Sequence, residues 1–313
     1  MKPTRTALLA LLWTVAIGCS GSSPEGQADP RDIWIAELVT SPAGDLRVGT
    51  ARNLTRRPGY DSQPAFLPDG ASFLFASDRD GGVHVWRYDL GSGAIERLTD
   101  GAGRDYSPES IPGHVGFSAV RVDEWGRQRL WRFGGESGEP RPIFEWEEGV
   151  RDYAWIDSSI VALGILDDEG GAELRFGDPL RGWVEDVAVV DDIGRTLCRV
   201  PGENAISIEL PAEDGSAQVA IVDLLTRTTR LLIPLPQDAA GHAWSPDGAL
   251  FTASGSRLLR FRPELDDGWQ EIGNVADSGV RRISRLVIDR GGERLLFVAS
   301  LADDTTLPAV DSP

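Results

Sequence analysis

The chain has 313 residues, 41% of them hydrophobic, and its 31 basic and 49 acidic side chains give a net charge of −18. This length allows a large buried core, and the acidic balance argues against nucleic acid as a partner, because phosphate contacts need Lys and Arg. Lys2 is the only lysine, so a catalytic or phosphate-binding lysine is excluded once a leader is removed. Two cysteines and three histidines exclude a disulfide scaffold and a Cys/His zinc cluster. We therefore expect neither a metal nor a cofactor.

The first residues of the chain predict export from the cytoplasm. Residues 1–6 contain two basic side chains, residues 7–17 form an apolar run too short to span a bilayer, and small residues precede Cys19. This arrangement resembles the signal of bacterial lipoproteins, which implies cleavage after residue 18 and lipidation of Cys19. Ser20 stands where an inner-membrane retention signal would have aspartate, so the resemblance implies an outer-membrane anchor facing the periplasm. The alternative is a plain secreted protein in which Cys19 has no special role.

Turn residues recur at a nearly constant spacing through the rest of the chain. They are Pro68, Pro112, Asp157, Pro201, Pro246 and Arg290, separated by 44 or 45 residues. In the clearest copy, apolar runs at 64–67, 73–76, 83–90 and 95–99 are separated by Pro- and Gly-containing turns, which predicts four short strands. Such units cannot bury both faces alone, and they are typical of the blades of a β-propeller.

The two ends of the repeated region complement each other. Residues 33–38 and 46–55 predict the second half of a blade, and residues 283–288 and 295–299 predict the first half. Because a closed ring leaves no free edge strand, the sequence predicts an all-β, six-bladed propeller with one composite blade. The predicted organisation is a signal peptide (1–18), a flexible tether (19–31), the propeller (32–302) and a C-terminal tail (303–313).

One repeat carries a recognisable motif. The segment Ser62-Gln-Pro-Ala-Phe-Leu-Pro-Asp-Gly70, followed by Phe75-Ala-Ser-Asp-Arg-Asp80 and Arg97-Leu-Thr99, resembles the repeat of TolB-like six-bladed propellers. The resemblance covers about residues 32–300, and it does not include the N-terminal α/β domain that TolB proteins carry. It implies a TolB-like propeller with PD40-type repeats, without implying the role of TolB.

Other motifs are better explained by structure than by chemistry. Residues 78–82 begin like a calcium loop but lack the downstream glutamate, and residues 135–139 lack the last glycine of a nucleophile elbow. Cys198 falls on a predicted innermost strand and is interpreted as a small buried thiol. The tryptophans Trp34, Trp86 and Trp131 recur at third-strand positions, Trp155 and Trp244 recur at first-strand positions, and Trp125, Trp146, Trp183 and Trp269 lie near loops. The recurrent ones predict packing between blades, and the others are candidates for exposure.

The first strand of each blade lines the channel of a propeller, so residues at its start predict a channel mouth. They are Tyr60, Asp61, Gln63, Arg104, Asp105, Tyr106, Arg151, Asp152, Tyr153, His242, Arg281 and Arg282. Arg and Tyr often dominate binding energy at interfaces, so this mouth predicts binding of an acidic peptide or a carboxylate. The alternative is that Arg and Asp simply pair with each other.

These patterns favour a monomeric, membrane-anchored propeller that acts as a binding or scaffold module in the cell envelope. Its expected partner is another envelope protein or a peptide segment that enters the channel mouth. The alternative is a propeller enzyme, a hydrolase or lyase acting on a small molecule or glycan, in which Asp61 and Asp105 serve as general acid and base.

Overall fold

The computed structural model describes residues 31–42, 44–135 and 138–300. These residues form strands joined by turns and loops, and their one helical element is a 3₁₀ turn at Ala276–Ser278. The predicted signal peptide, Cys19, most of the tether and the C-terminal tail lie outside the described residues. In the described part, no helix has both the length and the apolar character needed to cross a membrane.

The strands follow one another in six sets. The chain starts with β1 (Asp32–Thr40), β2 (Leu46–Val48) and β3 (Arg52–Asn53). Blade 2 contains β4 (Asp61–Phe66), β5 (Ser72–Ser77), β6 (His84–Asp89) and β7 (Ile95–Arg97). Blade 3 contains β8 (Arg104–Ser110), β9 (Phe117–Val122), β10 (Gln128–Phe133) and β11 (Arg141–Pro142). Blade 4 contains β12 (Val150–Trp155), β13 (Val161–Leu166), β14 (Ala172–Asp178) and β15 (Trp183–Val184).

The remaining strands complete the ring. Blade 5 contains β16 (Leu197–Arg199), β17 (Ala205–Pro211), β18 (Ala217–Asp223) and β19 (Thr229–Pro234). Blade 6 contains β20 (Ala243–Trp244), β21 (Leu250–Ser254), β22 (Arg257–Phe261) and β23 (Gln270–Asn274). The last strands are β24 (Arg282–Ile288) and β25 (Arg294–Ser300). Each blade is a separate antiparallel sheet, so the predicted six-bladed propeller is confirmed.

Blade 1 is built from both ends of the chain. Strand β1 pairs with β25 in an antiparallel register that runs from Asp32↔Ala299 to Glu37↔Arg294. Strand β24 forms the inner edge of this sheet, and β2 and β3 pair with the other side of β1. The predicted composite blade is therefore confirmed, and it joins the ends of the ring by main-chain hydrogen bonds.

The second strand of each blade is packed on both faces. All six residues of β5 are buried, and β13 and β25 each contain five consecutive buried residues. Because a blade lies between two others, its middle strands meet apolar neighbours on either side, and alternation of polar and apolar residues is lost there. This explains why the second strands appear in the sequence as continuous apolar runs.

The innermost strands begin earlier than the apolar pattern predicts. Strand β4 starts at Asp61, and the registers of β4 and β8 shift at β-bulges. Gln63 and Ser107 occupy equivalent bulge positions with φ of 54° and 48°. The Ser107 N–H donates to Gln63 Oε1 at 2.8 Å, which stabilises this uncommon conformation and links blades 2 and 3.

Tryptophans separate into packing and surface groups largely as predicted. Trp34 and Trp86 are buried, whereas Trp125 and Trp146 are 70% and 88% exposed. Trp269 differs from its expected exposure, because it packs against Phe261 and donates its indole N–H to the Pro234 carbonyl at 2.8 Å. The sequence places Trp269 near a loop, but it does not show that the Pro234 carbonyl lies within reach of the indole N–H.

Candidate functional site

The predicted mouth residues lie at or near the starts of innermost strands. Successive strands of a blade are antiparallel, so all six innermost strands start on one face of the ring, here called the mouth face. Arg31 also lies there, since it bridges to Tyr60 and accepts a hydrogen bond from the Asp61 N–H at 3.0 Å. The loops that connect β5 to β6 and β9 to β10 reach the same face.

Asp61 is held by one arginine of blade 2 and by one from the segment that leads into it. Its carboxylate is fully buried, with both oxygens within 3.2 Å of the Arg79 guanidinium and one oxygen 3.2 Å from Arg57 Nε. The Arg79 guanidinium also lies 5.2 Å from the centroid of the Trp86 ring. The buried charge is therefore paired, and its arginine partner is fixed by an aromatic face.

Asp105 repeats this arrangement in blade 3 with a different arginine. Its fully buried carboxylate accepts two hydrogen bonds from Arg121, at 2.7 and 2.9 Å, and Arg121 lies 5.2 Å from the Trp131 ring centroid. The neighbouring His84 places Nδ1 3.7 Å away, and burial lowers the pKa of His84 with a further contribution from Arg97. Because both Asp61 and Asp105 are already held by guanidinium groups, this geometry gives no support to a general acid–base pair.

Arg151 and Asp152 form a third pair at the mouth. Arg151 Nε lies 2.6 Å from the Asp152 carboxylate, and Arg151 Nη2 donates to the carbonyls of Ile193 and Gly194 in the next inter-blade loop. Burial raises the pKa of Asp152, although the positive charges of Arg151 and Arg285 act against this rise. The pair links blades 4 and 5 and does not project freely from the mouth.

Two mouth arginines remain exposed without such partners. Within the part of the chain that the structure describes, neither Arg104 nor Arg282 forms a salt bridge, and both side chains are exposed. The mouth therefore combines internally paired acids with free positive charge. The sequence suggested that Arg and Asp either pair or bind a ligand, and the structure shows such pairs at Asp61, Asp105 and Asp152. The predicted binding role itself stays a prediction.

Two hydrogen-bonded clusters occupy equivalent positions between blades. In the Ser118 cluster, Trp155 Nε1 donates to Ser118 Oγ at 2.8 Å, and the Tyr153 hydroxyl lies 3.0 Å from the same oxygen. Ser118 also lies 3.2 Å from the carbonyl of Glu109, and the Tyr153 hydroxyl donates to the Ser107 carbonyl at 2.8 Å. The cluster joins blades 3 and 4 through the buried side chains of Ser118, Tyr153 and Trp155.

The Ser207 cluster repeats this geometry between blades 5 and 6. Trp244 Nε1 lies 2.8 Å from Ser207 Oγ, and His242 Nε2 also lies 2.8 Å from it. Ser207 lies 3.2 Å from the carbonyl of Cys198. His242 Nδ1 makes no hydrogen bond in the described structure and lies 3.6 Å from Glu209. Burial acts to raise the pKa of Glu209, but His242 and Thr196 lower it overall.

The clusters reveal one residue of an innermost strand, Glu109, that the sequence analysis missed. Glu109, Tyr153, Cys198 and His242 lie 44 or 45 residues apart, the first three on innermost strands and His242 directly before β20, so the repeat spacing was a signal that could have found Glu109. We call these four residues the inner ring. Burial raises the pKa of Glu109 to about 8, against the effects of the Trp155 N–H and Arg285. Burial, with Glu109 and Glu209, raises the pKa of Cys198 to about 12.

Cys198 fits its interpretation as a structural thiol in most respects. It lies on innermost strand β16, is half-buried, and donates its S–H to the His242 carbonyl at 3.3 Å. A raised pKa keeps the thiol protonated, which makes it a poor nucleophile. Among the described residues, no group of three or more His, Cys, Asp or Glu side chains is placed to hold a metal ion.

Sequence comparisons match only segments of the chain. No known family profile matches the sequence. A 92-residue segment is 34% identical to the uncharacterized protein Atu1656 of Agrobacterium fabrum, and a 42-residue segment is 48% identical to the Tol-Pal system protein TolB of Bordetella pertussis. These segments cover 29% and 13% of this chain and 31% and 10% of those proteins. The chain thus spans less than a third of the length of these curated relatives.

Solved structures match over most of the ring. A putative TolB from Agrobacterium tumefaciens superposes with a TM-score of 0.63 and 13% identity, covering 87% of this chain and 98% of that one. A gluconolactonase from Xanthomonas campestris superposes with a TM-score of 0.60 and 13% identity, covering 88% and 98%. The fold is therefore that of TolB-like six-bladed propellers, and it is a fold that an enzyme also uses.

Proposed function

We propose that the protein is a lipid-anchored binding module of the bacterial cell envelope that takes an acidic protein or peptide segment at its channel mouth. The observation that carries this proposal is the free positive charge of Arg104 and Arg282 beside acids that are already paired. An incoming carboxylate would meet exposed guanidinium groups without having to displace Asp61 or Asp105. Arginine suits this task because its planar guanidinium group binds a carboxylate through two hydrogen bonds.

The anchor part of the proposal rests on the lipoprotein-like signal that ends at Cys19. Arg31, where the described chain begins, lies on the mouth face beside Tyr60. A tether over residues 19–31 would therefore hold the protein by the same face that binds the partner. We expect a monomeric propeller at the periplasmic side of the outer membrane, with an envelope protein as its partner and with no role in nucleic-acid binding.

Site-specific photo-crosslinking in intact cells tests the binding role. A photoreactive amino acid replaces Tyr106 at the mouth, and in a matched control it replaces Val115, which is 80% exposed in the β8–β9 loop on the opposite face. We expect a discrete crosslinked adduct from position 106 and none from position 115. The double substitution Arg104→Ala and Arg282→Ala is expected to abolish the adduct while the protein still folds. An adduct that survives this double substitution, or that forms equally from both positions, would refute the proposed mouth.

The anchor is tested separately. Wild-type protein is expected to incorporate labelled fatty acid and to fractionate with membranes, and Cys19→Ala is expected to lose both properties. A Cys19→Ala protein that keeps its label would contradict lipidation at this residue.

A further inference from the structure

Two tryptophans are exposed on neighbouring loops of the mouth face. Trp125 lies in the loop that joins β9 to β10, and Trp146 lies in the segment that joins β11 to β12. Both connections reach the mouth face, because β9 and β11 run toward it and β10 and β12 run away from it. Two large aromatic side chains on adjoining loops are more than the single exposed apolar residues that any surface carries, so they indicate an interaction surface.

Two arginines fix these loops against each other. Arg127 Nε lies 2.8 Å from Asp123 in its own loop, and Arg127 Nη1 lies 3.9 Å from Glu148 in the other segment. Arg129 lies 3.6 Å from the same Asp123 and donates to the Glu145 carbonyl at 3.4 Å. The two exposed tryptophans therefore belong to one surface, in which ionic contacts join the loop of one to the loop of the other.

Each exposed tryptophan follows a glutamate that has no cationic partner. Glu124 and Glu145 are both exposed, and neither forms an ion pair with any residue that the structure describes. Arg127 lies 4.9 Å from the centroid of the Trp125 ring, yet that side chain remains largely exposed. We call Glu124, Trp125, Glu145 and Trp146 the Glu-Trp surface.

The charges on and beside the Glu-Trp surface have a negative excess. Burial raises the pKa of Glu147 against the effect of Arg175, and the negative charges of Glu173 and Asp186 add to the rise. The surface therefore attracts cations and repels anions. In the two loops and the strand next to them, the carboxylates are Asp123, Glu124, Glu145, Glu147, Glu148 and Glu173, and the arginines are only Arg127, Arg129 and Arg175.

The molecule shows elsewhere how a tryptophan and a carboxylate hold a cation together. In blade 3, Arg121 lies 5.2 Å from the centroid of the Trp131 ring while it pairs with Asp105. Blade 2 repeats this arrangement. Trp146 has the same two elements, since its ring is largely exposed and Glu145 precedes it, but no described arginine lies over the ring. The cation that completes the arrangement would have to come from another molecule.

We propose that the Glu-Trp surface docks a basic peptide segment of a partner protein, with one Lys or Arg side chain at each Glu-Trp pair. Contact with the ring face and ion pairing with the carboxylate stabilise the same bound cation. The negative excess opposes an anionic membrane surface, and a neutral lipid would gain nothing from the two free carboxylates. The inference goes beyond the proposed function, because this surface takes the opposite charge from the one that Arg104 and Arg282 attract.

Fluorescence anisotropy of the full chain with a short labelled peptide, in which arginines alternate with glycine and serine, tests the surface at low ionic strength. We expect saturable binding of this peptide and none of the same peptide with citrulline in place of arginine. Trp125→Ala combined with Trp146→Ala should weaken binding by about tenfold, because two ring faces are lost. Glu124→Gln combined with Glu145→Gln should weaken it by about threefold, and added salt should reduce this difference.

Matched variants on the opposite face separate this site from general attraction to an acidic protein. Glu264→Gln combined with Asp267→Asn removes the same charge from the β22–β23 loop, and Leu265→Ala removes an exposed apolar side chain there. Both should leave the peptide affinity unchanged. The mouth variant Arg104→Ala with Arg282→Ala should not weaken peptide binding either, so failure of the Glu-Trp surface is distinguishable from failure of the mouth.

Several outcomes would overturn this inference. These are the absence of saturable peptide binding, equal affinity of the wild type and the double tryptophan variant, or an equal loss in the opposite-face variants. Sedimentation with phosphatidylcholine vesicles that the tryptophan substitutions abolish would assign the surface to a lipid instead. A dimer in analytical ultracentrifugation that they abolish would assign it to a second copy. Should the double tryptophan variant fail to fold, Trp146→Ala alone and the glutamine pair decide the matter.

Discussion

The Ser118 and Ser207 clusters have the same framework and different chemistry. In both, a tryptophan of the following blade donates to a fully buried serine at 2.8 Å. The third partner is Tyr153 in one interface and His242 in the other. The inner-ring residue beside the serine is Glu109 in one and Cys198 in the other.

This difference separates the Trp–Ser contacts, which hold neighbouring blades together, from the variable side chains beside them. The Trp–Ser contact recurs because it satisfies two buried polar groups at a blade interface. The inner-ring residues differ in how they take part: Tyr153 and His242 bond the serine through their side chains, whereas Glu109 and Cys198 contribute only a main-chain carbonyl, which leaves their side chains open to change. The repeat thus determines where the backbone of each inner-ring residue lies. The side chain at that position then determines the local chemistry.

The largest expected effect concerns the tryptophans. Trp155→Ala should destabilise the protein by about 3–5 kcal/mol in urea unfolding, since it removes a large buried side chain and a hydrogen bond. Trp244→Ala should cost less, because Trp244 is only half-buried. Trp146→Ala, at an exposed residue, is the control and should change stability by less than about 0.5 kcal/mol. Equal losses at 155 and 244 would break the comparison.

Removing the serine hydroxyls should lower the unfolding free energy by a smaller amount. Ser118→Ala leaves a buried indole N–H without an acceptor and should cost about 1–3 kcal/mol of unfolding free energy. Ser207→Ala should cost less than this, since water can reach the half-buried Trp244. Ser110→Ala removes a buried hydroxyl that has no hydrogen-bond partner and should be neutral or stabilising. A loss at Ser110 as large as that at Ser118 would show that the hydrogen bonds are not the cause.

The inner-ring residues should differ in their response to pH. The folded pKa of Glu109, about 8, lies above its ordinary value of 4.5, so the folded state holds a proton that the unfolded state releases. This contribution to stability is present in full below about pH 4.5 and is lost as pH rises to about 8. Urea midpoints should therefore decline over this window more steeply for the wild type than for Glu109→Gln. Cys198→Ser should leave the decline unchanged, and parallel curves for all three proteins would contradict the burial of Glu109.

The smallest expected effect is the reactivity of Cys198. Burial raises its pKa to about 12, so iodoacetamide near pH 8 should modify the folded protein very slowly. The same reagent should modify Cys198 readily in urea, which mass spectrometry measures. Fast modification of the folded protein would mean that the thiol is not a structural group.

The fold was predictable because the turns recur at fixed spacing, and the composite blade followed from the two half-blades. The acids Asp61 and Asp105 were predictable at the mouth for the same reason. Their partners were not, because Arg79 lies two residues after β5 while Arg121 lies within β9. Arg79 and Arg121 both pair with a buried aspartate, but they stand at different distances from the repeated turn residues. They therefore do not appear as a repeat in the sequence.

Arg285, whose charge acts on Glu109 and Asp152, was not among the predicted residues for a related physical reason. The β-bulge between Ile283 and Arg285 inserts a residue into β24, so counting from the turn at Arg290 does not show which side chains face the channel. Only the register of the folded sheet supplies that information.

The pairing of β1 with β25 has a consequence for how the protein is made. Strand β1 leaves the ribosome well before its partner β25, because blades 2 to 6 lie between them in the sequence. At about 5–20 residues per second, the interval is on the order of tens of seconds. During this time β1 has an open edge, which favours chaperone binding during synthesis and export. A prematurely terminated product would keep that edge, so cellular proteases could distinguish it from the finished ring.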